Sequence, residues 1–354
     1  MYTCTHTMSV YNLTNKSKVP MSNSWTSKKT LNLFASDQYE SFIEKLDDIS
    51  SEHNYKLRFN PLNSFKTLRN NDSHTHYVYK RIYPFKKLLK DHSMEWLSQY
   101  EAMYLSLYPC ISKLEKSKNS ITSMRVFCVD ETDAYVQIMQ KFCNHVGVKC
   151  KTQHHTDTKF TTTAMSEYSK SIGDVDVIIF NNNSELYSVN EIMFTLMNLR
   201  AHGNALITLP LITHSKTICA IHLFTCCFKT VKLIHTHAGD TLYLFGKNFT
   251  APELPYTEMY AYCATGSLSN ILFTKKYIDS EEFKHTLGLI IKINDEIYNS
   301  RYIRSKKLAE LISKLQKSAS NIAFKEYAEL MINKQYPDQT DIWIDTFDYK
   351  NIQT

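Results

Sequence analysis

The feature that most constrains the fold is an alternation of short apolar runs with segments of helical periodicity between residues 124 and 245. The runs are rich in β-branched and aromatic residues and have the length of buried strands. They cover residues 124–129, 146–151, 174–180, 204–209, 231–235 and 242–245. Residues 133–146, 191–199 and 215–228 lie between them and have apolar side chains at helical spacing. Such alternation predicts an α/β fold in which helices cover both faces of a parallel sheet.

The last two runs have a different connection from the others. Only a short polar turn, residues 237–241, separates 231–235 from 242–245. A turn of this length joins antiparallel strands, because a parallel connection needs a longer crossover. We therefore expect an antiparallel pair at one edge of the sheet.

The pattern along the chain predicts four segments. Residues 1–35 are rich in Ser, Thr, Asn and Lys and are expected to be a mobile arm. Residues 36–120 form a helical and basic N-terminal region, and residues 121–252 form the α/β domain. Residues 253–354 are expected to be a helical extension, with a long helix at 280–317 and a shorter one at 319–333.

The composition bears on which ligands and which compartment are expected for this protein. The 354 residues carry a formal net charge of +6, which permits contact with a polyanion. Only 7 glycines are present, which argues against a glycine-rich phosphate loop. The nine cysteines include no C-x-x-C pair, so we expect unpaired thiols in a reducing, cytoplasmic compartment. No apolar run has the length of a signal peptide core or a membrane span, and no His pair has a ligand set for a metal, so neither membrane nor metal is expected.

A basic stretch interleaved with aromatic residues lies within residues 61–92. Such a pattern can bind RNA, since cations contact phosphates while rings stack on bases. The alternative is an amphipathic segment whose lysines are solvated and whose rings pack on the fold. The candidate RNA-binding residues are Lys66, Arg69, Lys80, Arg81, Lys86, Lys87 and Lys90.

Residues 202–249 carry a pattern of a particular family. A glycine-led strand begins at Gly203, a helix follows, and Phe228 and Val231 precede the next strand. Tyr243 then lies in the closing hairpin, which ends at residues 246–248, Gly-Lys-Asn. This pattern resembles the FtsJ-like RNA ribose 2′-O-methyltransferases. Residues 280–283, Ser-Glu-Glu-Phe, and the Ile/Leu-rich helix after them are similar to the viral cap methyltransferases of large DNA viruses.

The resemblance implies a Rossmann-like class I methyltransferase sheet with helical N- and C-terminal additions. It also implies S-adenosylmethionine as cofactor, mRNA as substrate and the host cytoplasm as the location. Asp130, Glu131 and Asp133 follow the first strand and are the candidate cofactor-binding residues. The family has a Pro-Gly-Gly type turn there, whose bare backbone admits the cofactor. This chain has Thr-Asp-Ala-Tyr at 132–135 instead, so we expect the cofactor site to be lost.

The catalytic set of the family is Lys-Asp-Lys-Glu, which activates a ribose hydroxyl for attack on the methyl group. Asn181 stands at the Asp position, Thr208 at the second Lys position and Thr241 at the Glu position. A shift of one residue would bring Asp240 to the Glu position, but nothing nearby restores the second Lys.

These substitutions leave three hypotheses. The first is a catalytically inactive methyltransferase-fold protein that binds RNA or serves as a scaffold, with an active capping enzyme as its protein partner. The second is an active, divergent 2′-O-methyltransferase that depends on S-adenosylmethionine, since positioning alone supplies part of catalysis. The third is a structural or assembly protein that inherited the fold.

Overall fold

The structure is a computed structural model and describes residues 9–14, 25–29, 80–115, 123–182, 184–267, 270–318 and 332–353. The strands are β1 (Ser9–Asn12), β2 (Trp25–Lys29), β3 (Ser123–Val129), β4 (Lys149–His155), β5 (Val175–Phe180), β6 (Leu199–Leu209), β7 (Phe228–His235), β8 (Leu242–Phe249) and β9 (Asn270–Phe273). The helices are α1 (Met94–Ser106), α2 (Tyr108–Glu115), α3 (Ala134–His145), α4 (Thr162–Ser171), α5 (Glu185–Asn198), α6 (Ser215–Cys227), α7 (Tyr256–Ala264), α8 (Lys275–Ile278), α9 (Glu281–Ser318), α10 (Thr340–Thr346) and α11 (Tyr349–Gln353).

The chain divides into two compact units, each made of two separate stretches of sequence. The first comprises Met1–Ala35 and Ser98–Ile293, and the second comprises Ser36–Leu97 and Asn294–Thr354. The sequence pattern predicted four consecutive segments, whereas each of these units combines two stretches that are distant in sequence.

The first unit contains a seven-stranded mixed sheet in the order β1-β7-β8-β6-β5-β3-β4. Strands β4, β3, β5 and β6 are parallel, and β8 is antiparallel to both β6 and β7. The α/β class with parallel strands is thus confirmed. The closing pair is antiparallel as expected, but β8 lies between β6 and β7 and is not at the edge.

Strand β1 occupies the edge next to β7, within the segment that the sequence suggested was a mobile arm. Ser9–Asn12 pairs antiparallel with Lys232–His235. Leu13 follows β1 and is buried, and its backbone N–H donates to the carbonyl of Val231. A second segment of the same arm, β2, pairs with β9 in a two-stranded sheet. Tertiary pairing explains both strands, because neither segment has the apolar content that marks a strand in isolation.

Helices cover both faces of the large sheet, as the alternation predicted. Tyr243 and Gly246 of β8 are three residues apart and so face opposite sides. The Tyr243 hydroxyl is hydrogen bonded to Ser98 of α1 at 3.1 Å. On the other face, a Cβ added to Gly246 would lie 2.6 Å from the ring of Phe224 in α6. Glycine therefore allows the close approach of this helix to the sheet.

The element bounds agree best where the apolar pattern was longest. The helix expected at 133–146 is α3, and the long one expected at 280–317 is α9. Strand β6 begins five residues before its expected start, at Leu199. Helices α4 and α7 and strand β9 were not expected, since they are short or carry few apolar residues in register.

The second unit has an aromatic core. The Trp343 ring contacts Phe85, Phe347 and Tyr349 at centroid distances of 6.2, 5.0 and 5.5 Å. His92 stacks on Trp96 and shares a hydrogen bond of 2.6 Å with the Tyr349 hydroxyl. These rings account for the burial of Trp343, which is 2% exposed.

Candidate functional site at the carboxyl ends of the strands

A buried hydrogen-bond chain crosses the carboxyl ends of β3, β5 and β6. The Asn181 side-chain amide donates to the Asp130 carboxylate at 2.7 Å and accepts from the Thr208 hydroxyl at 3.2 Å. Thr208 is also 3.2 Å from the phenol oxygen of Tyr135 at the start of α3. Because the single Thr208 proton goes to Asn181, Tyr135 is the donor to Thr208. The structure thus brings together Asn181 and Thr208, two of the three residues that the resemblance to FtsJ-like methyltransferases suggested as catalytic positions.

The members of this chain are removed from water. Asp130, Tyr135 and Thr208 are each 0% exposed, and Asn181 is 8% exposed. Burial raises the pKa of the Tyr135 phenol well above its ordinary value, so this group remains a proton donor. Thr132 also donates to Asp130, at 2.9 Å, so both oxygens of this carboxylate accept hydrogen bonds. The side chains therefore satisfy one another, which ties β3, β5, β6 and α3 together.

A second chain of hydrogen-bonded side chains begins at Tyr243 of β8, on the face of the sheet to which Thr208 belongs. Tyr243 lies opposite Thr208 in the β6–β8 ladder. Its hydroxyl is 3.1 Å from Ser98, and Ser98 is 2.5 Å from the Thr236 hydroxyl. Glu101 of α1 accepts the backbone N–H groups of His237 and Ala238, which fixes the β7–β8 turn.

Thr241, at the third family catalytic position, is not part of the first chain. Its hydroxyl donates to the backbone carbonyl of Gly239 within its own turn, at 3.2 Å. Asp240, the residue that a one-residue shift would bring in, is 2% exposed and is 2.7 Å from His235 Nε2.

The three candidate cofactor-binding residues differ in exposure. Asp130 is buried in the hydrogen-bond chain, whereas Glu131 and Asp133 are exposed. Glu131 accepts a long hydrogen bond of 3.4 Å from Thr158. Asp133 is at the N-cap position of α3 without a side-chain capping bond. The sequence pattern indicated these acids as candidates. It did not indicate that Tyr135, two residues after Asp133, contacts Thr208 through its hydroxyl.

A second cluster lies beyond the ends of β5 and β6, and no motif in the sequence predicted it. Glu185 Oε1 accepts the backbone N–H groups of Thr213 and His214, at 3.0 and 2.9 Å. Glu185 Oε2 accepts the Thr213 hydroxyl and contacts His214 Nδ1, both at 2.6 Å. The hydrogen bond from Glu185 raises the pKa of His214. Burial opposes ionisation of Glu185, but its bonds to His214 and Thr213 outweigh burial and lower its pKa.

Glu191 of α5 is an unusual core residue. It is 0% exposed, and neither of its carboxyl oxygens has a hydrogen-bond partner among the described residues. Burial raises its pKa to about 8, which a weak interaction with the Asn182 side chain only partly opposes. A neutral carboxylic acid is therefore favoured at neutral pH, since an unpaired buried charge is costly.

The predicted RNA-binding residues lie partly outside the described residues, which exclude Lys66 and Arg69. Lys86 donates to the Tyr336 carbonyl at 2.6 Å and to Asn333 at 3.3 Å, and burial lowers its pKa. Lys87 forms an exposed ion pair with Asp341 at 3.6 Å. Lys90 is exposed, and Lys80 and Arg81 belong to a helical turn at residues 80–82. Lys86 therefore has an internal packing role, and RNA binding by this stretch stays a prediction.

The described residues contain neither a metal-ligand cluster nor a membrane-spanning helix. No group of three or more His, Cys, Asp or Glu side chains in these ranges could hold a metal ion. No helix within them is both long and apolar enough to cross a membrane. The eight cysteines of the described ranges are free thiols.

No family model matches the chain, and no curated protein matches it at a significant level of similarity.

Proposed function

We propose that this chain is a catalytically inactive protein with a class I methyltransferase-type fold that serves as an RNA-binding scaffold. The strand arrangement supports the fold assignment. The resemblance implies a parallel sheet that ends in an antiparallel pair, and here β8 runs antiparallel between β6 and β7. The resemblance also implies a viral origin and an active capping enzyme as partner, and both belong to the proposal.

The observation that carries the loss of activity is the hydrogen-bond chain from Asp130 through Asn181 and Thr208 to Tyr135. Methyl transfer to a ribose needs a charged lysine to lower the pKa of the hydroxyl, and Thr208 has no charge to offer. Asn181 cannot accept the proton that a carboxylate would.

The residues present do not fit S-adenosylmethionine. In the family, a glycine turn after the first strand admits the methionyl end of the cofactor. In this chain the Tyr135 ring starts from that turn and reaches the position of the catalytic lysine, where it is fully buried. The burial of this ring and its hydrogen bond to Thr208 thus support the proposal that no cofactor binds here.

Titration calorimetry with S-adenosylmethionine and S-adenosylhomocysteine tests the proposal. We expect no heat of binding at millimolar ligand and no transfer of labelled methyl groups to capped RNA. An active methyltransferase of the same class, assayed in parallel, controls for cofactor and RNA quality. Micromolar binding together with methyl transfer would overturn the proposal in favour of a divergent enzyme.

A further inference from the structure

Three lysines from three different elements are close enough to Cys110 for their charges to act on its thiol. They are Lys113 of α2, Lys232 of β7 and Lys247 of β8, and we call them the hairpin lysine cluster. Burial raises the pKa of Cys110, and the charges of these three lysines act in the opposite direction. In the β7–β8 ladder, Lys247 is opposite Thr230 and Lys232 is opposite Phe245. Lys232 and Lys247 are therefore diagonal neighbours on one face of the hairpin.

The charge of the hairpin lysine cluster is not balanced within the described part of the chain. None of the three lysine side chains forms an ion pair or a hydrogen bond with another described residue. By contrast, Arg200 of β6 is paired with Asp176. Lys113 is exposed, and Lys232 and Lys247 are half-buried. Like charges held together in this way favour an anionic partner.

Neutral polar side chains surround these charges on the same face. Asn204 of β6 and Thr230 of β7 are directly opposite Lys247, and Asn12 of β1 is opposite Lys232. Directly opposite residues of antiparallel strands point to the same side. Lysine, asparagine and threonine are side chains that contact the phosphates and sugars of nucleic acids.

We infer that the hairpin lysine cluster binds the sugar-phosphate backbone of single-stranded RNA. The inference rests on the proposed function and locates its RNA-binding surface. This surface is separate from the hydrogen-bond chain at the carboxyl ends. Lys247 pairs with Asn204, and Thr208 is four residues further along β6, about 13 Å away at the rise of a strand. Its three lysines also lie outside the basic stretch at residues 61–92 in the sequence.

The test measures binding of a fluorescein-labelled oligouridylate to the full chain by anisotropy, at several salt concentrations from 50 mM upward. One variant combines Lys113→Gln, Lys232→Gln and Lys247→Gln. The matched control combines Lys159→Gln, Lys170→Gln and Lys275→Gln, three exposed lysines on other elements with the same total charge change. Thermal melting compares the folding of both variants with that of the wild type.

We expect the cluster variant to bind at least about tenfold more weakly at 50 mM salt, and the control to bind like the wild type. The slope of log K against log salt should fall by about 2 in magnitude, since each phosphate contact with a single strand contributes about 0.7. Equal binding by the two variants would overturn the inference and leave an RNA-binding function elsewhere on the chain. No binding by the wild type would overturn the RNA-binding part of the proposed function, and the inference with it.

If the cluster variant does not fold, cross-linking of the wild type to 4-thiouridine RNA decides. Cross-links in the peptides of α2, β7 and β8 support the inference. Cross-links confined to other peptides overturn it.

Discussion

At the residue scale, Asn181 is informative because the resemblance to FtsJ-like methyltransferases implies a catalytic carboxylate at this position, which makes the substitution part of the proposed loss of activity. Its amide donates to the buried Asp130, a role that an aspartate cannot play unless it is protonated. In the proposed function, an internal hydrogen bond thus stands where the family would have a catalytic charge. Reversal of this one residue would not restore the family chemistry, since Thr208 and Tyr135 complete the chain.

We predict that Asn181→Asp destabilises the protein at neutral pH by about 3 kcal/mol, since two buried carboxylates would then face each other. Protonation of one of them relieves the repulsion, so the loss should shrink as the pH falls toward 5. Urea unfolding at pH 5 and pH 8 measures the effect. A destabilisation that does not change with pH would contradict the explanation.

Glu191 should make the stability of the wild type fall with rising pH. Its pKa is raised to about 8 in the folded protein, so folding favours the protonated form. The stabilising contribution is complete below the ordinary pKa of 4.5 and is lost as the pH rises through about 8.

We therefore predict that Glu191→Gln gains stability relative to the wild type as the pH rises from 5 to 9, by on the order of 4 kcal/mol. Urea unfolding at four pH values measures the difference. Glu167→Gln, the same change at an exposed position of α4, is the control and should show no such trend. Parallel pH profiles for the wild type and Glu191→Gln would refute the prediction.

At the scale of elements, Glu185 fixes the connection between β6 and α6. It is the first residue of α5. Its carboxylate accepts hydrogen bonds from the backbone N–H groups of Thr213 and His214 and from the Thr213 hydroxyl, and it pairs with the His214 imidazole. The loop that follows β6 therefore has a defined conformation although it contains no regular structure.

We predict that Glu185→Ala destabilises the protein by about 3 kcal/mol, because it leaves backbone donors of the loop unsatisfied. Glu185→Gln should cost less, since its amide oxygen still accepts hydrogen bonds. Denaturant unfolding and hydrogen exchange of residues 211–214 measure these effects. Equal exchange rates in the wild type and the alanine variant would exclude a role in fixing the loop.

The ion pair adds a pH dependence of its own. The lowered pKa of Glu185 stabilises the fold above about 4.5, and this contribution is lost at lower pH. The raised pKa of His214 stabilises it below about 6.5, and this contribution is lost as the pH rises further. The pair should therefore contribute most between these values, by about 1 kcal/mol after solvent screening of the half-exposed imidazole.

At the scale of the whole molecule, β1 protects an edge of the large sheet. Without Ser9–Asn12, the backbone of β7 would expose unpaired N–H and C=O groups from Lys232 to His235. Such an edge is a template for pairing with another chain.

We predict that a variant without residues 1–14 self-associates more than the full-length protein does, as measured by light scattering during gel filtration. Deletion of residues 1–8 alone, which leaves β1 intact, is the matched control. The same molar mass for both truncations over a range of concentrations would contradict a protective role of β1.

The sequence by itself determined the α/β class, most of the strands from β3 to β8 and the long helix α9, because their apolar periodicity is strong and local. The resemblance also pointed to Asn181, which directly follows β5, and to Thr208, which lies near the carboxyl end of β6. Only the tertiary structure decided that Tyr135 joins these two residues, that Glu185 fixes the loop before α6, and that β1 completes the sheet. These features depend on contacts between residues far apart in sequence, which no local pattern records. The same reason applies to the hairpin lysine cluster, whose members come together only when α2, β7 and β8 pack.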